Sequence, residues 1–398
     1  MIQRNAVRIV AGLSARHPLV LVEGPPRCGK TTMARQLATG SSPGAILANA
    51  RLRDGRDIVA APRDRSAARP VILDDAGPAD AAAIVAAITA RNGSASDMVD
   101  PGQPERSPRF VLVGGPFGGE DYGGAQVVRI EPLSLFETGA ANERRLWLRG
   151  GYPEAFGAAS ESEAFAWLEA YAADLAFGSL VAWGLPREPG RLRRLLGLVA
   201  ESNGLPFNEN AAARAMGVSR PTVGRYLDAL ERAGILFTVP PLPARLTGGV
   251  ARARRSPVSY LRDPGLFHAL LGIRSGEELL ARPRIATGSW AGFVVAQAMG
   301  TLPACLSPYR YISADGASLD LVVVANGIPV MAAVARRHRP DSVDRSASYA
   351  ARALSASLGN SGIDIERYVV VPDGERRAIP GGFVAIGLAA FLERLAGR

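Results

Sequence analysis

The feature that most constrains this chain is a glycine-rich octapeptide near its amino terminus. Residues 24–31 read Gly-Pro-Pro-Arg-Cys-Gly-Lys-Thr, which fits the spacing of a phosphate-binding loop. The apolar run Leu19–Val22 precedes the loop, and the amphipathic stretch Thr31–Ala38 follows it. Since such a loop joins a strand to a helix, we expect an opening α/β domain built on a parallel sheet.

Each residue type in the loop has a predicted part in holding the phosphates of ATP. Backbone N–H groups at the start of a helix can curl around the β-phosphate, because the partial positive charge there favours anions. Lys30 is expected to reach the β- and γ-phosphates, and the Thr31 hydroxyl is expected to ligate Mg²⁺. The predicted nucleotide-binding residues are Gly24, Pro25, Pro26, Arg27, Cys28, Gly29, Lys30, Thr31 and Thr32. ATP and Mg²⁺ are therefore the predicted cofactors, and a chance glycine-rich turn is the alternative.

A second apolar run, Val71–Leu73, ends in two carboxylates. Asp74 is predicted to hold Mg²⁺ through water, and Asp75 occupies the position of a hydrolytic base. Aspartate is one methylene shorter than glutamate, and a displacement of about 1 Å can cost around a hundredfold in rate. Asp74 and Asp75 thus predict metal binding with weakened activation of water. The alternative is that the two aspartates are only a turn at the end of a strand.

Composition excludes several classes of protein. With 398 residues, 47% of them hydrophobic and 21% charged, the chain is predicted to be globular, with two to four domains. Two distant cysteines predict neither disulfides nor zinc, and no apolar run reaches the roughly 18 residues of a membrane span. We expect a soluble cytoplasmic protein without a membrane partner. The net charge of +9 suits phosphate-rich partners, but an arginine-rich composition alone gives the same value.

The hydrophobic pattern divides the chain into four predicted segments. Residues 1–140 alternate strands and helices, and residues 141–187 form a helical lid or bridge. Residues 188–245 are helical and resemble a winged helix-turn-helix, and residues 246–398 form a second α/β unit. The predicted fold class is therefore multidomain α/β.

The stretch 207–227 is typical of a helix, a glycine turn and a second helix, with Ser219 as its N-cap and Pro221 in the first turn. The side chains expected to face inward are Val223, Leu227 and Leu230. The side chains expected at the exposed start of the second helix are Arg220, Thr222, Arg225 and Tyr226. This is the geometry of a DNA recognition helix, but we favour a module that packs beside the ATPase, because a helix-turn-helix specifies a shape rather than a function. The arginine-rich loop that follows adds weight to DNA binding and contains Arg245, Arg252, Arg254 and Arg255.

With those residues in place, the chain resembles a family of bacterial and archaeal AAA-class ATPases with a C-terminal domain of unknown function related to restriction-type nucleases. The segments that carry the resemblance are residues 24–32, Asp74-Asp75, Val113-Gly114-Gly115, Pro132-Leu133-Ser134 and Gly150-Gly151-Tyr152-Pro153-Glu154. The resemblance spans nearly the whole chain. It implies an AAA-like P-loop fold in residues 1–140 and a restriction-endonuclease-like fold in residues 246–398.

Two departures from the family bear on hydrolysis. Where the family usually has Thr and Ser hydroxyls after its sensor strand, this chain has Val113 and Gly115. The family's Gly-Arg pair falls near Gly123-Gly124, so a candidate charge-stabilising arginine is missing there. Because such an arginine can contribute about 10³ to 10⁵ in rate, the resemblance implies ATP binding with weak or absent hydrolysis.

The C-terminal segment resembles the family's nuclease core in its fold signature but not in its chemistry. Ala291, Ala333 and Ala335 occupy places where the family has acids and a lysine, which leaves Asp320 alone. A hard cation needs about six oxygen ligands, so we predict no nuclease activity. His268 and His338 are expected to be structural.

Three functional hypotheses stay open. The first is a nucleotide-dependent regulatory or scaffolding ATPase with weak or absent hydrolysis, in which nucleotide binding orders the chain for a partner. The second is an active ATP hydrolase, and the third is a DNA-binding regulator that uses the helix-turn-helix. An unknown protein partner and an oligomer are compatible with all three.

Overall fold

The computed structural model divides into two compact units, which are described separately. Unit 1 comprises Met1–Leu133, Ala182–Leu185 and Arg232–Gly234, and unit 2 comprises Ser134–Val181, Pro186–Glu231 and Ile235–Arg398. The residues described are 2–40, 45–50, 70–77, 81–86, 109–115, 117, 122, 125–182, 185–247, 257–313, 316–337, 345–357, 365–372, 374 and 376–397. No helix within these ranges is both long enough and apolar enough to cross a membrane.

Unit 1 is an α/β domain built on a five-stranded sheet whose described pairs are all parallel. Its helices and strands are α1 (Asn5–Ser14), β1 (Leu19–Glu23), α2 (Lys30–Gly40), β2 (Ile46–Asn49), β3 (Val71–Ala76), β4 (Phe110–Gly114) and β5 (Gln126–Arg129), and residues 81–86 are also helical. The strand order is β2-β3-β4-β1-β5, so β4 lies between β1 and β3. The predicted parallel sheet is confirmed.

The buried strands of this sheet are continuous apolar runs in the sequence. Every residue of β1 and of β4 is buried, as expected for continuous apolar runs covered on both faces. The strands at the two edges, β2 and β5, are mostly half-buried or exposed, and the sequence patterns above do not reveal them. An edge strand leaves one side to solvent, so its apolar signal is weaker.

Unit 2 begins with helices and a two-stranded antiparallel ribbon, and the last residues of two of these helices, Ala182 and Arg232, belong to unit 1. The helices are α3 (Leu135–Thr138), α4 (Glu143–Arg149), α5 (Pro153–Gly157), α6 (Glu161–Asp174), α7 (Leu180–Ala182), α8 (Pro189–Glu201), α9 (Glu209–Met216) and α10 (Arg220–Arg232), with a 3-10 turn at Ala140–Asn142 and a π turn at Leu175–Ser179. The ribbon pairs β6 (Leu236–Val239) with β7 (Val258–Leu261). Leu236, which the pattern assigned to a helical block, therefore begins a strand. The ribbon also crosses the segment boundary predicted at residue 245.

The rest of unit 2 is a six-stranded mixed sheet with helices. Its elements are a 3-10 turn at Ala244–Thr247, α11 (Pro264–Leu270), α12 (Gly276–Leu280), α13 (Pro283–Thr301), β8 (Leu306–Ile312), β9 (Ser318–Ala325), β10 (Ile328–Ala335), α14 (Arg345–Ser357), β11 (Glu366–Val371), β12 (Arg377–Ile379), β13 (Phe383–Gly387) and α15 (Leu388–Ala396). The strand order is β12-β13-β11-β10-β9-β8, with parallel β10-β11-β13 pairs and antiparallel pairs at both ends. The predicted second α/β unit is present as a separate mixed sheet.

Candidate functional site

The glycine-rich loop lies between the carboxyl end of β1 and the first residue of α2, as its sequence requires. Lys30 begins α2, and its ammonium group donates to the carbonyl oxygens of Gly24 at 2.9 Å and Pro25 at 2.8 Å. The ammonium group is therefore held against the loop's own backbone. Thr31 is exposed in the first turn of the same helix, and Thr32 is half-buried.

Two residues of the loop have positive φ angles, which allow its sharp bend. Gly29 has φ of 97° and Arg27 has φ of 58°. Gly24 is required for a different reason, since a Cβ atom there would lie 2.2 Å from the carbonyl oxygen of Ile130. The close approach of Gly24 to the end of β5 fixes where the loop begins.

Arg4, the residue before α1, holds the glycine-rich loop to the segment after β5 through two hydrogen bonds from its side chain. Its side chain is buried, and its Nη1 donates to the carbonyl oxygen of Cys28 at 2.7 Å. Its Nη2 donates to the carbonyl oxygen of Glu131 at 2.6 Å. The Arg4 guanidinium thereby links the loop to the segment after β5, and its positive charge lies behind the loop.

Cys28 turns its thiol into the interior of unit 1. The side chain is fully buried, and its Sγ lies 3.8 Å from the carbonyl oxygen of Ile130. Burial raises the pKa of the Cys28 thiol, against the lowering effect of Lys30 and Arg4. The thiol therefore stays protonated near neutral pH.

Asp74 and Asp75 lie at the same edge of the sheet as the loop. The register places Glu23 beside Gly114 and Gly114 beside Ala76, so β1, β4 and β3 end in one row. With a strand spacing of about 4.8 Å, the ends of β1 and β3 are about 10 Å apart. The two predicted metal and base positions are therefore brought to the glycine-rich loop by the fold.

The two carboxylates differ in their backbone setting. The pairing of β3 with β4 is interrupted between Leu73 and Ala76, so both aspartates lie in a bulge. Asp75 is exposed and has φ of 62°, which is unfavourable for a residue with a side chain. Asp74 is half-buried, and its Oδ1 accepts from the backbone N–H of Asp75 at 2.9 Å. Bulges of this kind commonly redirect side chains at functional edges.

Gly114 and Gly115, at the carboxyl end of β4, lie too close to neighbouring atoms to carry side chains. A Cβ atom at Gly114 would lie 1.9 Å from the carbonyl oxygen of Ala76. Gly115 has φ of 120°, and a Cβ atom there would lie 2.8 Å from the Cβ of Glu23. Both glycines are thus needed where β4 passes between β3 and the start of the loop.

An ion pair next to the loop was not predicted from the sequence. Glu23, the last residue of β1, is buried, and its Oε1 accepts from the Nη2 of Arg129 at 2.7 Å. Its Oε2 accepts from the backbone N–H of Phe117 at 3.2 Å. Arg129 on β5 is thus an arginine beside the loop, although Glu23 engages its charge. A glutamate that ends an otherwise apolar strand is the sequence signal for this pair, whereas nothing in the sequence marks Arg4.

The helix-turn-helix segment has the predicted helix, glycine turn and second helix, but some side chains differ from their predicted exposure, since Thr222 and Leu227 are both half-buried. Gly217 is left-handed between α9 and α10, and the Ser219 Oγ accepts from the backbone N–H of Thr222 at 3.3 Å. Arg225 is exposed, as predicted. Tyr226 is only 6% exposed, so the expectation that it lies on the exposed face is wrong. Residues 223, 226 and 230 share one buried face, because positions three and seven residues apart coincide on a helix.

Two of the candidate DNA contacts are engaged within this segment. The Nε of Arg220 donates to the Glu209 carboxylate at 2.8 Å, although the Arg220 side chain is 64% exposed. The Thr222 hydroxyl lies 2.9 Å from that of Ser219 and accepts from the Nη2 of Arg225 at 3.2 Å. Among Arg220, Thr222, Arg225 and Tyr226, Arg225 alone has an exposed, charged side chain that makes no ion pair within the described ranges.

Asp320 and two of the predicted alanine replacements line one pocket of unit 2. The pocket has a volume of about 510 Å³ and is bordered by Ala291, Asp320 and Ala335. Within the described ranges no group of three or more His, Cys, Asp or Glu side chains is placed to hold a metal ion. His268 is fully buried, with its ring between the Leu148 carbonyl oxygen and the Ser289 hydroxyl.

Some predicted residues lie outside the described ranges. These are Gly123, Gly124, Arg252, Arg254, Arg255 and His338.

Comparisons with known proteins find relatives over most of the chain. A family described as "Domain of unknown function (DUF8612)" matches residues 141–277. The uncharacterized proteins Mb2031c of Mycobacterium bovis and Rv2008c of Mycobacterium tuberculosis are each 28% identical over 404 residues, covering 94% of this chain and 81% of the relative. Among solved structures, a Walker-type ATPase of Pyrococcus abyssi is similar with a TM-score of 0.44 and 14% identity, over 68% of this chain and 96% of that protein.

Proposed function

We propose that this chain binds ATP with Mg²⁺ at residues 24–32 and acts as a nucleotide-dependent regulatory or scaffolding protein. The observation that carries the proposal is the position of Lys30, the first residue of α2, with its ammonium group at the Gly24 and Pro25 carbonyl oxygens. A helix N-terminus and an ammonium group at the edge of a parallel sheet together favour a bound polyphosphate. Thr31 and Asp74 are the proposed Mg²⁺ ligands.

Weak or absent hydrolysis is the second part of the proposal. Asp75 is the available base, but it lies in a bulge, and its side chain is shorter than that of glutamate. Gly115 offers no hydroxyl to polarise an attacking water, and Arg129 is held by Glu23. The site therefore has the groups that bind phosphates, and it has fewer of the groups that stabilise phosphoryl transfer.

Binding can be tested by titrating the full chain with a fluorescent ATP analogue in Mg²⁺. Replacing Lys30 by Ala removes charge-assisted hydrogen bonds to phosphate, each of which contributes about 1.5–3 kcal/mol, so affinity should fall roughly tenfold or more. Arg35→Ala removes an exposed positive charge from the same helix and should leave affinity unchanged. Equal dissociation constants for wild type and Lys30→Ala would refute nucleotide binding at this loop.

Phosphate release separates the proposed regulator from an active hydrolase. The proposal expects wild type, Lys30→Ala and Asp75→Asn to release phosphate at the same background rate under saturating ATP and Mg²⁺. A wild-type rate well above that of both variants would identify the chain as an active ATP hydrolase. That result would overturn weak hydrolysis while leaving ATP binding intact.

DNA binding is a second candidate function, favoured by the exposed Arg225 near the start of α10. If Arg225 contacts a phosphate, the logarithm of affinity for duplex DNA should fall steeply with the logarithm of salt concentration. Arg225→Gln should then reduce that slope by about 1. Arg193→Gln on α8, also exposed, is the charge-matched control. An unchanged slope in Arg225→Gln would favour the alternative that this segment packs against protein.

A further inference from the structure

We propose that the pocket beside Asp320 binds an organic anion with an apolar body, such as a phosphate monoester or a carboxylate. The pocket lies entirely within unit 2. Its volume of about 510 Å³ falls within the range of about 300–1,000 Å³ that small-molecule sites occupy. Three arginines, Arg284, Arg310 and Arg336, and two carboxylates, Glu201 and Asp320, border it.

Arg310 reaches this pocket from an irregular position in its strand. The pairing of β8 with β9 shifts between Tyr309 and Tyr311, so Arg310 lies at a bulge. The backbone of Arg310 bonds to the segment after β6 instead of to β9. Its N–H donates to the Pro240 carbonyl oxygen, and its own carbonyl oxygen accepts from the Leu242 N–H. A bulge redirects a side chain out of the regular alternation, and here it places a guanidinium in the pocket lining.

The Arg310 guanidinium has unused hydrogen-bonding capacity although its side chain is only 10% exposed. Its Nη1 donates to the Gly204 carbonyl oxygen at 2.7 Å and to the Tyr260 hydroxyl at 2.6 Å. Its Nη2 makes no hydrogen bond within the described part of the chain, and the carboxylate oxygen of Asp320 is 3.7 Å away from it. An anion in the pocket that accepted from Nη2 would gain a charge-assisted hydrogen bond.

Asp320 does not take the place of such an anion. Its carboxylate oxygen lies 3.7 Å from the Nη2 of Arg310, which is longer than the roughly 2.7–2.9 Å of a tight ion pair. The other oxygen accepts from the backbone N–H of Ala335 at 3.0 Å and lies 3.5 Å from the Nη1 of Arg336. The carboxylate is thus directed mainly to the β10 backbone.

Tyr260 adds a neutral donor at the same end of the pocket. Its hydroxyl oxygen accepts from Arg310, and the hydroxyl donates to no group within the described residues, so its proton is left for a ligand. Burial raises the pKa of the Tyr260 phenol, which keeps the proton in place near neutral pH. Arg310 and Tyr260 together form a polar end that suits an anionic oxygen.

The rest of the lining suits an apolar body. Phe267, Leu271 and Ile285 supply large apolar side chains, and Ala291 leaves room beside them. A site with an apolar wall and a few convergent donors fixes a ligand by its charged end and holds the remainder by burial. The expected ligand therefore carries one anionic group on an aromatic or aliphatic body.

The test uses phenyl phosphate and benzoate as probes, with inorganic phosphate and phenol as their separate halves, by isothermal titration calorimetry on the full chain. We expect phenyl phosphate or benzoate to bind more tightly than either half. The tighter of the two identifies a phosphate ester or a carboxylate as the ligand class. Binding should persist in Lys30→Ala, which separates this pocket from the glycine-rich loop. Loss of binding in Lys30→Ala would overturn the proposal, as would binding no tighter than inorganic phosphate and phenol.

Two variants locate the binding in the pocket. Arg310→Lys keeps the charge but loses the Nη2 donor and the forked geometry, and Ala291→Phe fills the cavity. Each should weaken binding by about tenfold, the effect of losing one charge-assisted contact or the space for the body. Arg274→Lys, at an arginine that is 74% exposed outside the pocket, should bind as wild type does. Thermal unfolding checks that Arg310→Lys is folded. If Arg310→Lys is unfolded, Ala291→Phe becomes the deciding variant, and undiminished binding by Ala291→Phe would overturn the proposal.

Discussion

Arg4 donates from its guanidinium to the main-chain carbonyl oxygen of Cys28, at a distance of 2.7 Å, from behind the glycine-rich loop. The contact joins residues 24 positions apart, and the same guanidinium reaches Glu131, which is 127 positions away. The hydrogen bonds therefore tie three chain segments to one buried cation. We infer that Arg4 positions the loop without touching a ligand itself.

Replacing Arg4 by Met should lower both stability and nucleotide affinity. The variant leaves the carbonyl oxygens of Cys28 and Glu131 without this donor, at a cost of about 1–3 kcal/mol in the free energy of unfolding. A loop held less firmly should also bind a fluorescent ATP analogue several-fold more weakly, because ordering it opposes binding. Arg8→Met, at an exposed position of α1, is the control. Wild-type affinity in folded Arg4→Met would show that Arg4 does not act on the nucleotide site.

Restoring a serine at Gly115 should harm unit 1 rather than improve hydrolysis. The residue has φ of 120°, and its Cβ would lie 2.8 Å from the Cβ of Glu23. Strain and overpacking of this kind cost about 1–3 kcal/mol each, so the midpoint of thermal unfolding should fall. Gly40→Ser is the control, because nothing lies within 4 Å of a Cβ atom there. A Gly115→Ser chain with wild-type stability and faster phosphate release would contradict this prediction.

The glycine-rich loop was predictable because its determinants are local. A strand, a turn and a helix start follow one another within residues 19–40, and the buried side chains of β1 and β4 form continuous apolar runs. The placement of Asp74 near the loop also follows from a general property, since parallel strands end at one edge. The bulge that holds Asp74 and Asp75 was not predictable, because it depends on how β3 pairs with β4.

Other errors come from contacts that the chain order hides. Tyr226 and Leu227 are adjacent on the same helix, and both fit a helical pattern with Val223 and Leu230, so only the residues packed against that helix determine that Tyr226 is the more deeply buried. Around Asp320, the sequence predicted only that the family's other acidic residues are missing. The structure places Arg310, on the neighbouring strand, beside Asp320. Cross-strand neighbours of this kind depend on register, which short apolar runs do not specify.

The two cysteines should differ sharply in reactivity. Cys28 is fully buried and its thiol has a raised pKa, whereas Cys305 is exposed. Since the thiolate is the reactive form, iodoacetamide near neutral pH should modify Cys305 and spare Cys28 in the folded chain. Peptide mapping by mass spectrometry measures both sites, and both should react after denaturation. Equal labelling of the two thiols in the native chain would contradict the described burial of Cys28.

Asp263 and His268 in unit 2 are fully buried groups whose pKa values move in opposite directions. Burial raises the pKa of Asp263 to about 6, although the backbone N–H groups of Leu266 and Gly151 donate to it. Burial lowers the pKa of His268 to about 4. The stabilisation from a raised Asp263 pKa is complete at acid pH and is lost as pH rises through 6. That from His268 is complete above about 6.5 and is lost as pH falls toward 4.

The two groups should therefore offset each other between pH 4 and pH 6, where each contributes about 3 kcal/mol at about 1.4 kcal/mol per pH unit. His268→Gln removes the contribution to the free energy of unfolding that rises with pH. The free energy of unfolding of this variant should therefore fall, relative to that of wild type, as pH rises from 4 to 6. Asp263→Asn removes the falling part and should show the opposite slope. Urea unfolding of unit 2 at several pH values measures both, because other titrating groups are common to all three chains and cancel in the difference. Parallel pH profiles for wild type and both variants would mean that neither group changes its protonation on unfolding.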